Sequence, residues 1–594
     1  MIDADLSSWE FWWEFQKDPL LRLRDGMELR RALNATDALL GGRGALARTL
    51  EPPSATTVQT VVVPGLVKAF REATDRDTIS STMVALAKIG QDPAGARLHD
   101  LFSQKLSSHD QELRETAALC IGISRQCRRE DIALLVALCV DAPLAHREAA
   151  RTEIDQRTRA FACYGLGLCL PRIEPHRRHA PVRALQSLLE ASDATSTQRN
   201  VTVAAIAALG QLPRDTSAAG RSLLDIAANS LLAFYDKELG PGAQIVQAHC
   251  PIAIANLIGP DHALSDVCRS EFAGCLAAER TSDSGPTSKA NDHVGQSCAS
   301  ALGLLCRPWE NETSPDHDIC LRLLRTCREA RDHQTRYFAA LSLGRIGGEK
   351  ARTALLDEMR EASRAIEQPW IMLALGSMIA ARADASLVGL VTPDDDREVC
   401  ESLLRTLDAA KSPHAIGAAA IALGLCRAPG SGDRLRAALS EYGDREDVGG
   451  QIAIGLALLE ERSAAPHIRE LLADSVRKPQ LLVRFAMSLG KLGDAEAVAQ
   501  LTSMLTDAEG GLARLSAVAS GLGQLGDRRC VDPLVQMLQN KTLTPLTRAF
   551  AAVALGGVCD PEPMPWNARY AATLNYRAAV ETLTDGASGI LDIL

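Results

Sequence analysis

A chain of 594 residues is too long for one compact core, so it forms either several domains or one elongated array. Hydrophobic residues at 46% and charged residues at 23% are ordinary for a folded protein, whereas aromatics fall to 4%. A net charge of −10 argues against a general nucleic-acid binder, because neutralising phosphates needs a basic face, and no apolar run reaches the eighteen residues of a membrane span.

The start, Met1-Ile2-Asp3-Ala4-Asp5, lacks the basic residues and apolar stretch of a signal peptide, so a cytoplasmic location is expected. Ser7-x-x-Glu10 forms a capping box, which predicts a helix from Trp9 to about Asp18-Pro19. Trp9, Trp12 and Trp13 share one face of it. Either they cap the first repeat, or they form an exposed anchor for a partner or membrane surface. They are the candidate partner-binding residues.

From position 87 to 556 a short phrase recurs thirteen times: a small residue, an apolar one, Gly, a variable residue, an apolar one and usually a second Gly. It is sharpest at Ala208-Leu209-Gly210-Gln211-Leu212, Leu343-Gly344-Arg345-Ile346-Gly347, Leu489-Gly490-Lys491-Leu492-Gly493 and Leu522-Gly523-Gln524-Leu525-Gly526. The spacing runs from 31 to 48 residues, which is the signature of a helical-repeat array.

Each repeat reads as two helices. Val498, Leu501 and Leu505 mark an amphipathic stripe, Gly510-Gly511 breaks the chain, and Leu512 to Leu522 form a second helix. The next repeat has Val531, Leu534, Val535 and Leu538 on one stripe, a polar break at Asn540-Lys541-Thr542, and a second helix over Thr547–Val558. That second helix is apolar nearly all round and belongs between neighbouring repeats, while the first covers the outer face. The central Gly permits close backbone approach; the second (Gly347, Gly493, Gly526) suits a left-handed C-terminal cap, and Asp494 and Asp527 suit the next helix start. Cys320, Leu323, Leu324 and Cys327, like Ile132, Leu135, Val136 and Cys139, sit at helical spacing, so the cysteines act as small hydrophobes and reduced thiols are expected.

Arg114, Arg159, Arg336 and Arg548 each stand eight residues before a motif Gly. With the Ala-Leu-Gly-x-x-Gly-Asp that follows, the units resemble HEAT repeats, particularly the short variety named after phycobilisome lyases, over roughly 60–560. This resemblance implies an all-α superhelix, a HEAT-type solenoid of about thirteen helical pairs, with contacts between sequence neighbours. Loop inserts are expected at 141–157, 171–183, 213–220, 281–296 and 307–318. The aromatic start is similar to the N-terminus of large bacterial HEAT-repeat proteins. The expected division is an N-terminal aromatic cap over 1–58, the repeats over 59–560 and a C-terminal capping segment over 561–594.

Asp560-Pro-Glu-Pro-Met-Pro-Trp566 ends the repeats. Asn575–Val580 is predicted as one last helix, and the apolar finish Gly589–Leu594 is predicted to lie as a lid on the last repeat.

Chemistry finds little purchase. The di-iron site of HEAT-like deoxyhypusine hydroxylases needs His-Glu pairs, and the chain has only His99-Asp100, His109-Asp110 and His317-Asp318, read as surface polar residues. No Cys-x-x-Cys, Walker or Gly-x-Ser-x-Gly motif is present; Gly430-Ser431-Gly432 reads as a flexible connector. Glu174-x-His176-x-x-His179 is compact, but Arg172, Arg177 and Arg178 oppose a cation there. Asp394-Asp395-Asp396 suits the start of a helix over Arg397–Leu407. No catalytic residue, cofactor or metal set is assigned. The reading is a non-enzymatic protein–protein scaffold or adaptor that uses the concave face, its acidic balance favouring partners with basic patches. The alternatives are a bilin-lyase-like enzyme, which the repeat resemblance implies, and a regulator binding nucleic acid through a local basic edge.

Overall fold

The computed structural model describes residues 7–23, 50–193, 198–240, 242–278, 291–361, 366–385, 394–506, 511–586 and 588–594. These residues are helices and connecting turns, with no strand among them, as the repeat periodicity predicts. They form two compact units. The first takes Met1–Lys17, Ser103–Gly389 and Trp566–Leu594; the second takes Asp18–Phe102 and Leu390–Pro565.

In the first unit the inner layer is the series Gln111–Ile123, Gln156–Cys169, Arg199–Leu209, Cys250–Ile258, Asp292–Leu305, His333–Ile346 and Gln368–Ala385, each packed on the next. Outer helices such as His179–Ala191, Ser265–Ala278 and His317–Glu329 pack on the inner helix that follows them. Inner neighbours touch along the whole series, whereas outer neighbours touch only in places, so the outer layer is grooved.

The second unit repeats this with inner helices Pro413–Leu425, Gly449–Leu458, Pro479–Leu492, Leu512–Leu525 and Pro545–Cys559. Its sixth inner helix comes from the far end of the sequence. Arg76–Ile89 packs on Pro545–Cys559, and its partner Val63–Glu72 packs on Val531–Gln539. The expectation that contacts follow chain order fails here. A repeat presents the same two flanks wherever it stands in the chain, so the first repeat can hide the exposed flank of a late one. Lys541 and Glu72 form an ion pair at 2.9 Å across this junction.

The motif glycines set the inner spacing. A Cβ on Gly344 would lie 2.4 Å from the Ala374 carbonyl oxygen, and one on Gly556 would lie 2.8 Å from Ala85 Cα. At Gly490 the nearest atom such a Cβ would meet is Leu525 Cδ2 at 3.4 Å, an ordinary van der Waals contact, so that copy has no packing need for glycine. All three second glycines take positive φ, and Gly493 (φ 75°, ψ 31°) and Gly526 (φ 62°, ψ 27°) form the left-handed cap, whereas Gly347 (φ 70°, ψ −167°) turns the chain into an extended conformation instead. Asp494 accepts from the Glu496 and Ala497 amides, and Asp527 from the Arg529 amide.

The recurrent arginine has a defined job. Each reaches back to carbonyls left open where the preceding outer helix ends: Arg159 to Cys139, Arg336 to Ala330 and Arg548 to Leu538. Arg114 does the same at Ser108 and His109 and adds an ion pair with Asp155 of the next repeat.

Some local expectations need correction. The first helix runs Trp9–Leu21, past Pro19. Within the insert 141–157 lies a short helix, Pro143–Ala149, while the helices starting at His179, Ala218, Asp292 and His317 reach into the other inserts; 281–290 lies outside the described residues. Gly430-Ser431-Gly432 is no loose connector: Gly430 takes φ 75° and the helix Ser431–Tyr442 starts at once, with Ser431 buried. Asp394 likewise starts its helix, which runs Asp394–Ala409.

Candidate recognition surfaces

The inner helices of the first unit carry polar side chains on an otherwise apolar surface, and these hold the chain's own C-terminal segment. Gln211 donates to the Arg569 carbonyl at 2.9 Å, Asn256 to the Thr573 hydroxyl at 3.0 Å, and Gln334 to the Tyr576 hydroxyl at 3.0 Å. In return, Asn575 donates to the Ser297 hydroxyl and the His293 carbonyl, both at 2.9 Å. Arg157 pairs with Glu115 at 2.9 Å and also reaches Glu581 and the Ser588 carbonyl.

Aromatic rings fill the remaining space. Tyr570 donates to the Tyr164 carbonyl at 2.6 Å, and a Cβ on motif residue Gly167 would strike its hydroxyl at 2.3 Å. Tyr576 is stacked on Phe15 at 5.4 Å and lies 5.1 Å from Phe11 and 5.7 Å from Phe338. The Arg172 guanidinium lies over the Trp566 ring at 4.1 Å, a favourable cation–π contact.

His249 Nε2 lies 3.0 Å from the Ala578 carbonyl oxygen. A carbonyl only accepts, so this nitrogen carries the ring proton. Burial pushes His249 down to about 4, with nearby His293 acting the same way against the Ala578 hydrogen bond. The ring is neutral at ordinary pH. Burial also raises the Tyr570 phenol well above its usual range.

The three tryptophans read as cap or anchor are buried: Trp9 is 2% exposed, Trp12 8% and Trp13 1%. Trp12 lies 6.2 Å from Trp370, which in turn stacks on Tyr337 at 4.7 Å. Gln16 donates to the Ala571 carbonyl at 3.3 Å. The predicted last helix over Asn575–Val580 is absent. Asn575 is drawn to Ser297 and accepts from the Arg577 amide, and Tyr576 is drawn into its aromatic nest, so the backbone stays in turns. Short helices form instead at Ala568–Ala571, Glu581–Thr584 and Ile590–Ile593. The predicted lid, Gly589–Leu594, packs its helix Ile590–Ile593 on Glu581–Thr584, which in turn lies on helices Gln156–Cys169 and Arg199–Leu209, early repeats rather than the last. The inner face of this unit, expected to be an open recognition surface, is lined by the chain itself.

Open surface lies between outer helices. In the first unit, a groove of about 440 Å³ runs between His179–Ala191 and Ala218–Tyr235, with half-buried Ile226 and exposed Ala233 along it over buried Leu189 and Phe234, and Arg183, Glu190, Asp225 and Lys237 around it. A cleft of about 220 Å³ opens near Tyr337 and Trp370, rimmed by the pairs Arg328–Glu358 and Arg336–Glu367. In the second unit, a groove of about 450 Å³ between Glu496–Thr506 and Val531–Gln539 is lined by Val498, Thr502, Arg529 and Pro533.

The residues weighed for chemistry are scattered. His317 accepts from the Trp309 indole at 2.9 Å, and His109 is exposed. Glu174 and His176 lie at a 3-10 turn, Pro175–Arg177, while His179 opens the next helix. Among the described residues, no group of three or more His, Cys, Asp and Glu side chains is placed to hold a metal ion.

Residues 515–540 match the family described as the PBS lyase HEAT-like repeat, so the resemblance read from the repeat phrase is recovered there. No curated protein matches the chain. Among solved structures, the chain is similar to Kap121p bound to Ste12p, with 14% identity, a TM-score of 0.32 and 83% of this chain covered. It spans 56% of that protein's length. For importin beta in an ammonium sulfate condition, identity is 13%, the TM-score 0.34, and coverage 84% of this chain and 74% of the other. No helix among the described residues is long and apolar enough to cross a membrane.

Proposed function

We propose that the chain is a protein-binding scaffold or adaptor that receives its partner on the outer layer of its repeats. The observation that carries this reading is the groove between helices 179–191 and 218–235. It combines apolar surface with a rim of both charge signs, the composition of a docking strip for another protein rather than for a phosphate backbone. Both walls are pre-set. Lys237 donates to the Leu189 and Ser192 carbonyls at 2.8 and 3.0 Å, tying the end of one wall to the other, so little ordering is needed on binding. The inner face of this unit serves the chain's own segment, which moves the recognition surface outward.

The test is affinity purification with mass spectrometry from the native host, comparing the full chain with Ala233→Glu in this groove and Thr502→Glu in the second unit's groove. The reading expects partners retained by the unaltered chain and by Thr502→Glu but lost from Ala233→Glu. Equal recovery on all three would overturn the assignment to this groove.

A further inference from the structure

All sixteen cysteines are free thiols. Two of them meet at one repeat boundary of the first unit. Cys127 follows the helix Gln111–Ile123, Cys169 ends the helix Gln156–Cys169, and their sulfurs lie 3.4 Å apart. Cys127 takes a φ of 39°, a left-handed conformation that residues bearing a Cβ seldom adopt. Its sulfur faces Cys169 and, at 3.8 Å, the Ser124 carbonyl, while the Cys169 thiol donates to the Gly122 carbonyl at 3.1 Å. Cys127 is the more accessible of the two, at 5% against 0%, and its loop neighbours Arg125 and Gln126 are exposed.

We propose that Cys127 and Cys169 form an oxidisable dithiol that joins two neighbouring repeats, with Cys127 the attacking sulfur, Cys169 the resolving one and a peroxide the oxidant. The surroundings suit these roles. Hydrogen bonding with Cys169 and the Arg172 guanidinium hold the Cys127 thiol below the ordinary range against burial and Asp131, while Cys169 is held above it. Cys127 as thiolate attacks one peroxide oxygen, the O–O bond breaks and hydroxide leaves, giving a sulfenic acid. Cys169 then attacks that sulfur, the S–O bond breaks and water leaves. In total, two thiols lose two protons and two electrons, and hydrogen peroxide becomes two waters. The sulfurs close by roughly 1.4 Å to reach disulfide length.

The experiment treats the full chain with hydrogen peroxide, alkylates the remaining thiols under denaturing conditions, and maps peptides with a protease that separates Cys127 from Cys169. A cross-linked Cys127–Cys169 pair that vanishes on reduction is expected. With Cys169→Ser, Cys127 should accumulate several-fold more sulfenic acid, trapped by dimedone. With Cys127→Ser, Cys169 should remain an intact thiol. Recovery of both residues as unmodified thiols in the oxidised wild-type chain would overturn the proposal, as would pairing of Cys127 with any other cysteine. The wild-type map decides the matter even if a variant fails to fold.

Discussion

All six tryptophans and five of the six tyrosines lie in the first unit, and the second holds only Tyr442. Part of the difference follows from how each inner layer is finished. In the second unit the layer continues into another copy of the repeat, helix 76–89, and small residues in register suffice: Gly556 meets Ala85 backbone to backbone. In the first unit the layer meets the non-repeating segment 566–594, whose irregular surface needs large rings and specific hydrogen bonds to fill it. Repetition closes one unit with little side-chain bulk; the other is closed by aromatic shape.

Because the indoles report on the first unit alone, tryptophan fluorescence and far-ultraviolet circular dichroism should trace different unfolding curves in urea, as an array that loses repeats locally predicts. Coincident curves would erase the distinction. The largest single effect expected is Tyr576→Ala, which empties the nest of Phe11, Phe15 and Phe338 and should cost about 3–5 kcal/mol in the fluorescence transition. Leu534→Ala, at a fully buried outer-helix position of the second unit, should cost roughly 2–5 kcal/mol and move circular dichroism while leaving fluorescence in place. A shift in both signals would show that the units do not unfold separately.

Acid sharpens the comparison. His249 titrates near 4 when folded and about 6.5 when unfolded, so below pH 6.5 the unfolded chain binds a proton that the folded chain refuses. Stability of the first unit is therefore full above pH 6.5 and falls as the pH drops towards 4, by up to roughly 3 kcal/mol, then levels off. The fluorescence midpoint in urea should track this, and His249→Asn should flatten the slope. The smallest effects separate two glycines. Gly344→Ala should destabilise, because the added methyl meets the Ala374 carbonyl, whereas Gly490→Ala should stabilise by about 0.5–1 kcal/mol through helix propensity alone. Thermal melts of both variants check the sign.

The repeat itself was plain in the amino-acid order. The stripe Val531, Leu534, Val535 and Leu538 became the helix Val531–Gln539, and the predicted 547–558 became Pro545–Cys559. Periodicity is a local property, and these elements bury their stripes against adjacent repeats. The capping signal Asp-x-x-Thr, at Asp75/Thr78, Asp155/Thr158 and Asp332/Thr335, also marks three inner-helix starts in the amino-acid order. The partners of the chain ends were hidden. Nothing local to Tyr576 points to Gln334, 242 residues away, or to a β-turn in place of a helix. The nearest hint is the polar residues on apolar inner helices, Gln334, His249 and Asn256, since a buried polar group requires a partner.

The first repeat completes the second unit out of chain order. Zero-length carbodiimide cross-linking of the native chain tests it directly, because Lys541 and Glu72 lie 469 positions apart in sequence and 2.9 Å apart in space. The expected result is a cross-linked peptide joining Lys541 to Glu72, abolished by Glu72→Gln. Lys541 joined only to carboxylates of its own and adjacent repeats would contradict the account.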